Sequence, residues 1–241
     1  MCVISKTTYV KCLSLKQDTG GKFTDNAQPS SLAAPAIVVS TGLLAALTFD
    51  YSKERKLMIS ISVKKLTLDD CHPKMLAKFN RYQETGPWWQ KIDGEWLLKD
   101  DSIFIDDWDD MRKAEEIENY VNVLQNGGVV IGAYSDGNLI GVSIVPHRFW
   151  GINNDCLQLD GMHVSLEHRG KGIGRELFQL SCEAAKEMGA NKLYISAQPS
   201  KETQAFYFAV GCRDAAETIQ ELVEREPYDR HLEYVLANPA E

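Results

Sequence analysis

From Ile59 to Leu66 apolar and polar residues alternate, which predicts a half-buried strand. Asp69-Asp70 then offers N-caps for a short helix through Phe79, and Gly86-Pro87 breaks it. Residues 88–110 show no clear period and are rich in Trp and acid. Asp110 to Leu124 predicts a helix, with Ile117, Tyr120, Val121 and Leu124 at helical spacing and Asn126-Gly127-Gly128 as its stop. Val129 to Tyr134 and Leu139 to Val145 are strand-like runs flanking Asp136-Gly137, a hairpin signal because the tight turn needs positive φ. Cys156 to Ser165 predicts a further strand. Ile173 to Met188 predicts a long helix with Ile173, Leu177, Leu180 and Ala184 on one stripe, ended by Gly189. Lys192 to Ala197 predicts a strand, Ser200 to Val210 a helix stopped by Gly211, and Arg213 to Thr218 and His231 to Leu236 two last strands. Strand 156–165, helix 173–188 and strand 192–197 form a right-handed parallel crossover in this reading. The expected fold class is α/β, a mixed six- to seven-stranded sheet flanked by helices.

Charge divides the chain near Met58. Residues 1–57 carry seven basic and four acidic residues, +3, so the total of −8 leaves −11 on residues 58–241. Such an acidic domain is a poor general binder of nucleic acid, since phosphate contacts need concentrated positive charge. The uncharged run from Ser31 to Phe49 includes Ser31, Pro35, Ser40, Thr41 and Gly42, and it starts too far in for a secretory signal, so no membrane role is expected. Residues 1–57 are read as an extension of unknown role, and Met58 as an alternative start. Residues 58–241 form the domain that holds the chemistry. The six cysteines have no C-x-x-C spacing, which suggests neither a zinc site nor a disulfide framework and fits free thiols in a reducing cytoplasm.

The sharpest local feature is Arg169-Gly170-Lys171-Gly172-Ile173-Gly174-Arg175, between a strand and a helix. Three glycines allow unusual φ and let backbone N–H groups converge on one anion. The helix start adds unpaired donors and the positive end of its dipole. A pyrophosphate is the natural guest. The dinucleotide pattern G-x-G-x-x-G fails at Arg175, and the P-loop pattern fails at Gly172.

Arg169-x-x-Gly172-x-Gly174 after a strand resembles the R/Q-x-x-G-x-G/A signature of the GNAT superfamily of acyl-CoA-dependent N-acyltransferases. Met162-His163-Val164-Ser165 precedes it as that family's fourth strand would, and Phe206 to Cys212 resembles its later Y-x-x-x-G-F segment. The resemblance covers roughly residues 59–236. It implies acetyl-CoA as co-substrate, with no metal, and direct attack by a primary amine in a ternary complex. Its pyrophosphate would meet the N–H groups of Arg169, Gly170, Lys171, Gly172, Ile173, Gly174 and Arg175. Its pantetheine arm would pair with the backbone of Met162 and Val164 like an added strand. The N–H of Met162 would face the thioester oxygen; losing such a donor costs about 2.7–4 kcal/mol of barrier. Tyr207 occupies the place of the family's acid for the leaving thiolate. Many members have Asn where this chain has Ser200, which either donates to pantetheine or caps the helix.

A lysine-like amine has a pKa of about 10.4 and must lose a proton before it attacks. Strict alternation puts Gln158, Asp160, Met162 and Val164 on one face and Leu157, Leu159, Gly161 and His163 on the other. The resemblance puts a base on the first face, two or four residues before the oxyanion donor. That selects Asp160, directly or through water. His163 faces away on this count, and His231 and Glu226 in the last hairpin are weaker candidates. Residues 93–118 hold eleven acidic residues against three basic ones, near Trp88, Trp89 and Trp96. Such a wall favours a cationic acceptor, a small polyamine, an amino sugar or a peptide amine. Self-association as a homodimer stays open. The competing readings are a non-catalytic acyl-CoA-binding module or sensor with the same loop, and a nucleotide phosphate site.

Overall fold

A computed structural model describes residues 10–12 and 61–236. The uncharged run 31–49 and the Met58 boundary lie outside the described residues. Strands are β1 (Val10–Cys12), β2 (Ile61–Lys65), β3 (Gln83–Thr85), β4 (Trp88–Ile92), β5 (Glu95–Lys99), β6 (Ile103–Asp106), β7 (Val129–Ser135), β8 (Asn138–Val145), β9 (Phe149–Trp150), β10 (Cys156–Leu159), β11 (Gly161–Val164), β12 (Lys192–Ala197), β13 (Arg213–Asp214) and β14 (Arg230–Val235). Helices are α1 (Asp110–Gln125), α2 (Ile173–Glu187), α3 (Lys201–Ala209) and α4 (Gln220–Arg225).

Two sheets form the centre, ordered β2-β7-β8-β11 and β9-β10-β12-β14-β13. They are joined through β10 and β11, the two halves of one extended segment. Counting that segment once, β2-β7-β8-β10/β11-β12-β14-β13 is the mixed, seven-stranded arrangement the sequence predicts. β10 runs parallel to β12, from Cys156 opposite Lys192 to Leu159 opposite Ile195, and α2 supplies the crossover. Apolar clusters lie on both faces. One packs Leu157, Leu159, Phe178, Ala185, Leu193 and Tyr207 between the sheet and α2 and α3. The other packs Leu76, Phe79, Trp108, Tyr120, Val130 and Ile144 against α1. Leu177 and Phe178 are almost wholly buried, each contributing roughly 1.5–3 kcal/mol of apolar transfer.

Three local expectations are corrected. The helix expected from Asp69 to Phe79 is a 3-10 turn, Leu68–Asp70, followed by further turns. Its bonds close over three residues, Met75 to His72 and Phe79 to Leu76, and Pro73 lacks the N–H that an α-turn would use. Residues 88–99 are not irregular but form the antiparallel hairpin β4–β5. Asp93 (φ 51°) and Gly94 (φ 89°) turn it, the same Asp-Gly device that closes β7–β8. The strand expected over 213–218 stops at Asp214, and α4 follows it.

Candidate active site

The site forms where β11 leaves the parallel ladder. Asp160 donates its N–H to the Ile144 carbonyl (3.0 Å), while Gly161 is also paired with Ile144. Two residues facing one make a β-bulge, which bends the strand and inverts its side-chain alternation. Past Leu159 the pairing of β10 with β12 ends, and among the described residues β11 continues only along β8. A gap therefore opens between β11 and the far end of β12. Ser165 donates to Ile140 (2.8 Å), so the antiparallel alternation turns the Met162 and Val164 N–H groups away from β8, toward the gap.

The bulge corrects the expected faces. The side chains of Met162 and Val164 pack on the α2 side, with Ile173 and Leu177, together with Leu157 and Leu159. His163 points to the other side, its ring 4.8 Å from that of Trp108. Both Asp160 and His163 line one cavity of about 690 Å³.

Beyond β11 the chain makes a 3-10 turn, Leu166–His168, and enters the glycine loop. Gly170 (φ 72°) and Gly172 (φ 87°) hold left-handed conformations with open space where a Cβ would stand. Gly172 is the N-cap of α2 and offers no side-chain cap, so the first N–H groups of the helix are presented outward. Lys171 and Arg175 are exposed beside it, although the Lys171 Nζ donates to the Glu167 carbonyl (2.8 Å). The Arg169 side chain folds back, Nε to the Val164 carbonyl (2.9 Å) and Nη2 to that of Arg81 (3.4 Å), and ties the loop to the strand end.

Tyr207, on α3, is buried and lines the cavity; burial pushes its phenol well above the ordinary tyrosine value. Ser200 caps α3. It is fully buried, and its Oγ accepts from the Thr203 N–H (3.0 Å) and bonds Thr203 Oγ1 (2.7 Å).

The cavity is acidic. Asp106, Asp107, Asp109, Glu115, Glu116, Asp160, Glu226 and Asp229 line it, against Arg81 and Arg112. Several carboxylates are held by guanidinium groups: Asp106 by Arg81 (2.6 Å), Glu116 by Arg112 (2.6 Å) and Asp160 by Arg225 (3.2 Å). Burial raises the pKa of Glu116 and of Glu226, and the Asp160 charge adds to both, while nearby arginines offset part of the rise. Arg81 Nε donates to His163 Nδ1 (3.1 Å), which leaves the ring proton on Nε2. Burial, then the charges of Arg81, Arg112 and Arg169, drive the His163 pKa well below its ordinary value. His163 is therefore a neutral donor toward the cavity rather than a base.

The aromatic wall lies elsewhere than expected. Trp88, Trp89 and Trp96 line a separate cleft of about 600 Å³ with Arg230 and His231. Trp108 is the indole of the acidic cavity. Sequence reading missed Arg81, Arg112 and Arg225. For Arg112 the signal was present: Arg112, Glu115, Glu116 and Asn119 recur at helical spacing and share one face of α1.

A model of the acetyltransferase (GNAT) family matches residues 88–211, just over half of the chain. The chain belongs to this family. Streptothricin acetyltransferase of Streptomyces lavendulae is 39% identical over 67 residues, which span 28% of this chain and 33% of that protein. The solved structure of nourseothricin acetyltransferase superposes with a TM-score of 0.53 at 17% identity, over 73% of this chain and 99% of that one. A protein of Bacillus anthracis str. Ames assigned as a streptothricin acetyltransferase, in complex with acetyl coenzyme A, superposes at 0.54 and 12% identity, over 73% and 98%. The solved neighbours share the fold of this GNAT chain, and the matched segment contains its bulged strand, glycine loop and Tyr207.

Proposed function

We propose that this GNAT-family chain transfers an acetyl group from acetyl-CoA to a primary amine on a cationic acceptor. One observation carries the reading: the gap between β11 and β12 runs from the glycine loop at one end to the acidic cavity at the other. The open space over Gly170 and Gly172 and the uncapped start of α2 fit a diphosphate. Acetyl-CoA supplies the activated acyl carbon and the thiolate leaving group.

The chain's own groups do the rest. The backbone N–H groups of the loop, 169–175, hold the diphosphate, with Lys171 and Arg175 adding charge. The Met162 and Val164 N–H groups align the pantetheine arm, and that of Met162 stabilises the carbonyl oxygen as it gains charge. The Val164 carbonyl is committed to Arg169, so only its N–H serves. Tyr207, kept protonated by burial, gives its proton to the departing sulfur. Asp160, held by Arg225, receives the acceptor's ammonium. The excess of carboxylates over arginines in the cavity favours cations over neutral or anionic acceptors. A relative over part of the chain bears the name streptothricin acetyltransferase, so streptothricin-class amines are the first acceptors to try.

Incubation with acetyl-CoA and a panel of amines, read by mass spectrometry, tests the reading. The panel includes streptothricin, spermidine, an amino sugar, a lysine peptide and neutral and anionic amines. Acetylated cationic amines are expected; preference for neutral or anionic acceptors, or no product, would overturn it.

A further inference from the structure

We propose that Glu226, rather than Asp160, takes the proton from the acceptor's ammonium; this rests on the amine acylation proposed above. The cavity's carboxylates sort by what already holds them. Asp106 is bound by Arg81, Glu115 and Glu116 by Arg112, and Asp160 by Arg225. Asp109 caps α1 through the Arg112 N–H (2.7 Å), and Asp107 is exposed at the rim. Asp229 stands in the wall shared with the Trp-lined cleft. Glu226 is different. It follows α4 directly, with its N–H bonded to the Leu222 carbonyl (3.0 Å) and its own carbonyl accepting from Asp229 (3.1 Å), so its backbone is anchored on both sides. Its side chain is 17% exposed, and its ion pair with Arg225 Nε, at 3.8 Å, is longer than a hydrogen bond.

The groups that act on it are Arg225 on α4, Asp160 at the bulge and the Ser196 hydroxyl on β12, in a cavity that Glu116, Tyr207 and Asp229 also line. Burial and, less, the Asp160 carboxylate make Glu226 a stronger base than an exposed glutamate, and Arg225 and the Ser196 hydroxyl moderate the effect. Asp160 lacks that freedom, because Arg225 Nη2 hydrogen-bonds its Oδ1. The two acids thus divide the work: Asp160 docks the ammonium and Glu226 deprotonates it.

The step balances without any further reagent. One ammonium proton passes to Glu226 Oε and then to solvent. The freed nitrogen lone pair attacks the acyl carbon, a C–N bond forms and the C–S bond breaks. Tyr207 protonates the thiolate, and the second N–H proton released by the new amide restores Tyr207 through solvent. Net, the thioester and the ammonium give amide, thiol and one proton.

The test compares wild type, E226Q, E226D and D160N as full chains. It uses acetyl-CoA and streptothricin, or spermidine where streptothricin is not turned over, from pH 5 to 9. E226Q is expected to lower kcat/KM about 100-fold and to replace the acidic limb set by Glu226 with a rise that continues toward the amine's own pKa, with acetyl-CoA affinity unchanged. E226D keeps that limb at reduced rate, and D160N keeps it with a raised amine KM. With trifluoroethylamine, unprotonated at neutral pH, the E226Q deficit shrinks to about tenfold or less. An acidic limb that keeps its wild-type position in E226Q, or shifts only in D160N, overturns the role of Glu226 while leaving acetyl transfer standing. Absence of turnover by wild type on every amine overturns acetyl transfer, and Glu226 with it.

Discussion

Asp160 and Gly161 both face Ile144 across the β8–β11 ladder, the first through its N–H at 3.0 Å and the second as its paired residue. That single extra residue turns His163 toward the acidic cavity and Met162 toward α2. Gly161 is needed for the fit. A Cβ there would stand 3.1 Å from Ile144 Cδ1 and 3.3 Å from His163 Nε2, so both must shift. Gly161→Ala is expected to cost about 1–3 kcal/mol as overpacking. Melting should fall by about 2–4 °C per kcal/mol. Because the displaced ring is on the acceptor side, the amine KM should rise more than that for acetyl-CoA. Equal changes in both would show that His163 does not shape the acceptor cavity.

Two glycines of α2 separate backbone strain from ligand contact. Gly172 (φ 87°) begins the helix and Gly189 (φ 93°) follows its end, and at both, among the described residues, the space where a Cβ would stand is open. Gly172→Val and Gly189→Val should each cost about 1–2 kcal/mol from the left-handed conformation. Only Gly172→Val puts a side chain where the diphosphate is proposed to lie. Calorimetry should show its acetyl-CoA affinity reduced about tenfold or more, which is about 1.4 kcal/mol, with Gly189→Val near wild type. Equal loss in both variants would place the diphosphate elsewhere.

The glycine loop and Tyr207 were legible because their chemistry is written in residue type and order. Backbone donors need glycines at a strand–helix junction, and a helix of fixed length carries Tyr207 back to the gap. The bulge was not legible, since Asp160-Gly161 reads as one more alternating pair until Ile144 opposes both. The β4–β5 hairpin had its signal in Asp93-Gly94, but Trp88-Trp89 and Leu97-Leu98 are apolar doublets that obscure the period of two. Arg81 and Arg225 carry no local pattern at all. Each is defined by a carboxylate distant in sequence, Asp106 and Asp160 respectively.

Tyr207→Phe isolates the acid step. The ring packs edge-on to Phe178, with centroids 6.2 Å apart, and phenylalanine preserves that contact. Melting temperature and acetyl-CoA affinity should therefore stay near wild type while kcat falls about 100-fold. Burial raises the phenol's pKa, so the acid form persists to higher pH than an ordinary tyrosine. Any alkaline limb owed to Tyr207 must lie above pH 10, the ordinary value. A limb well below this, unchanged in Tyr207→Phe, would assign the proton to another group.

His163 makes stability itself depend on pH. In the folded chain its pKa is well below 6.5, from burial first and from Arg81, Arg112 and Arg169 next. The unfolded histidine binds a proton near pH 6.5, whereas the folded one does not until the pH is far lower. Its contribution is therefore complete above pH 6.5 and drains as pH falls toward the folded value, by at most about 1.4 kcal/mol per pH unit. His163→Asn keeps an acceptor for Arg81 Nε but cannot titrate. Denaturant unfolding of both proteins from pH 8 to 5 should show wild type losing its advantage over His163→Asn below pH 6.5. A stability difference that stays constant across this range would mean that His163 exchanges its proton like an exposed imidazole, and that Arg81 does not set its tautomer.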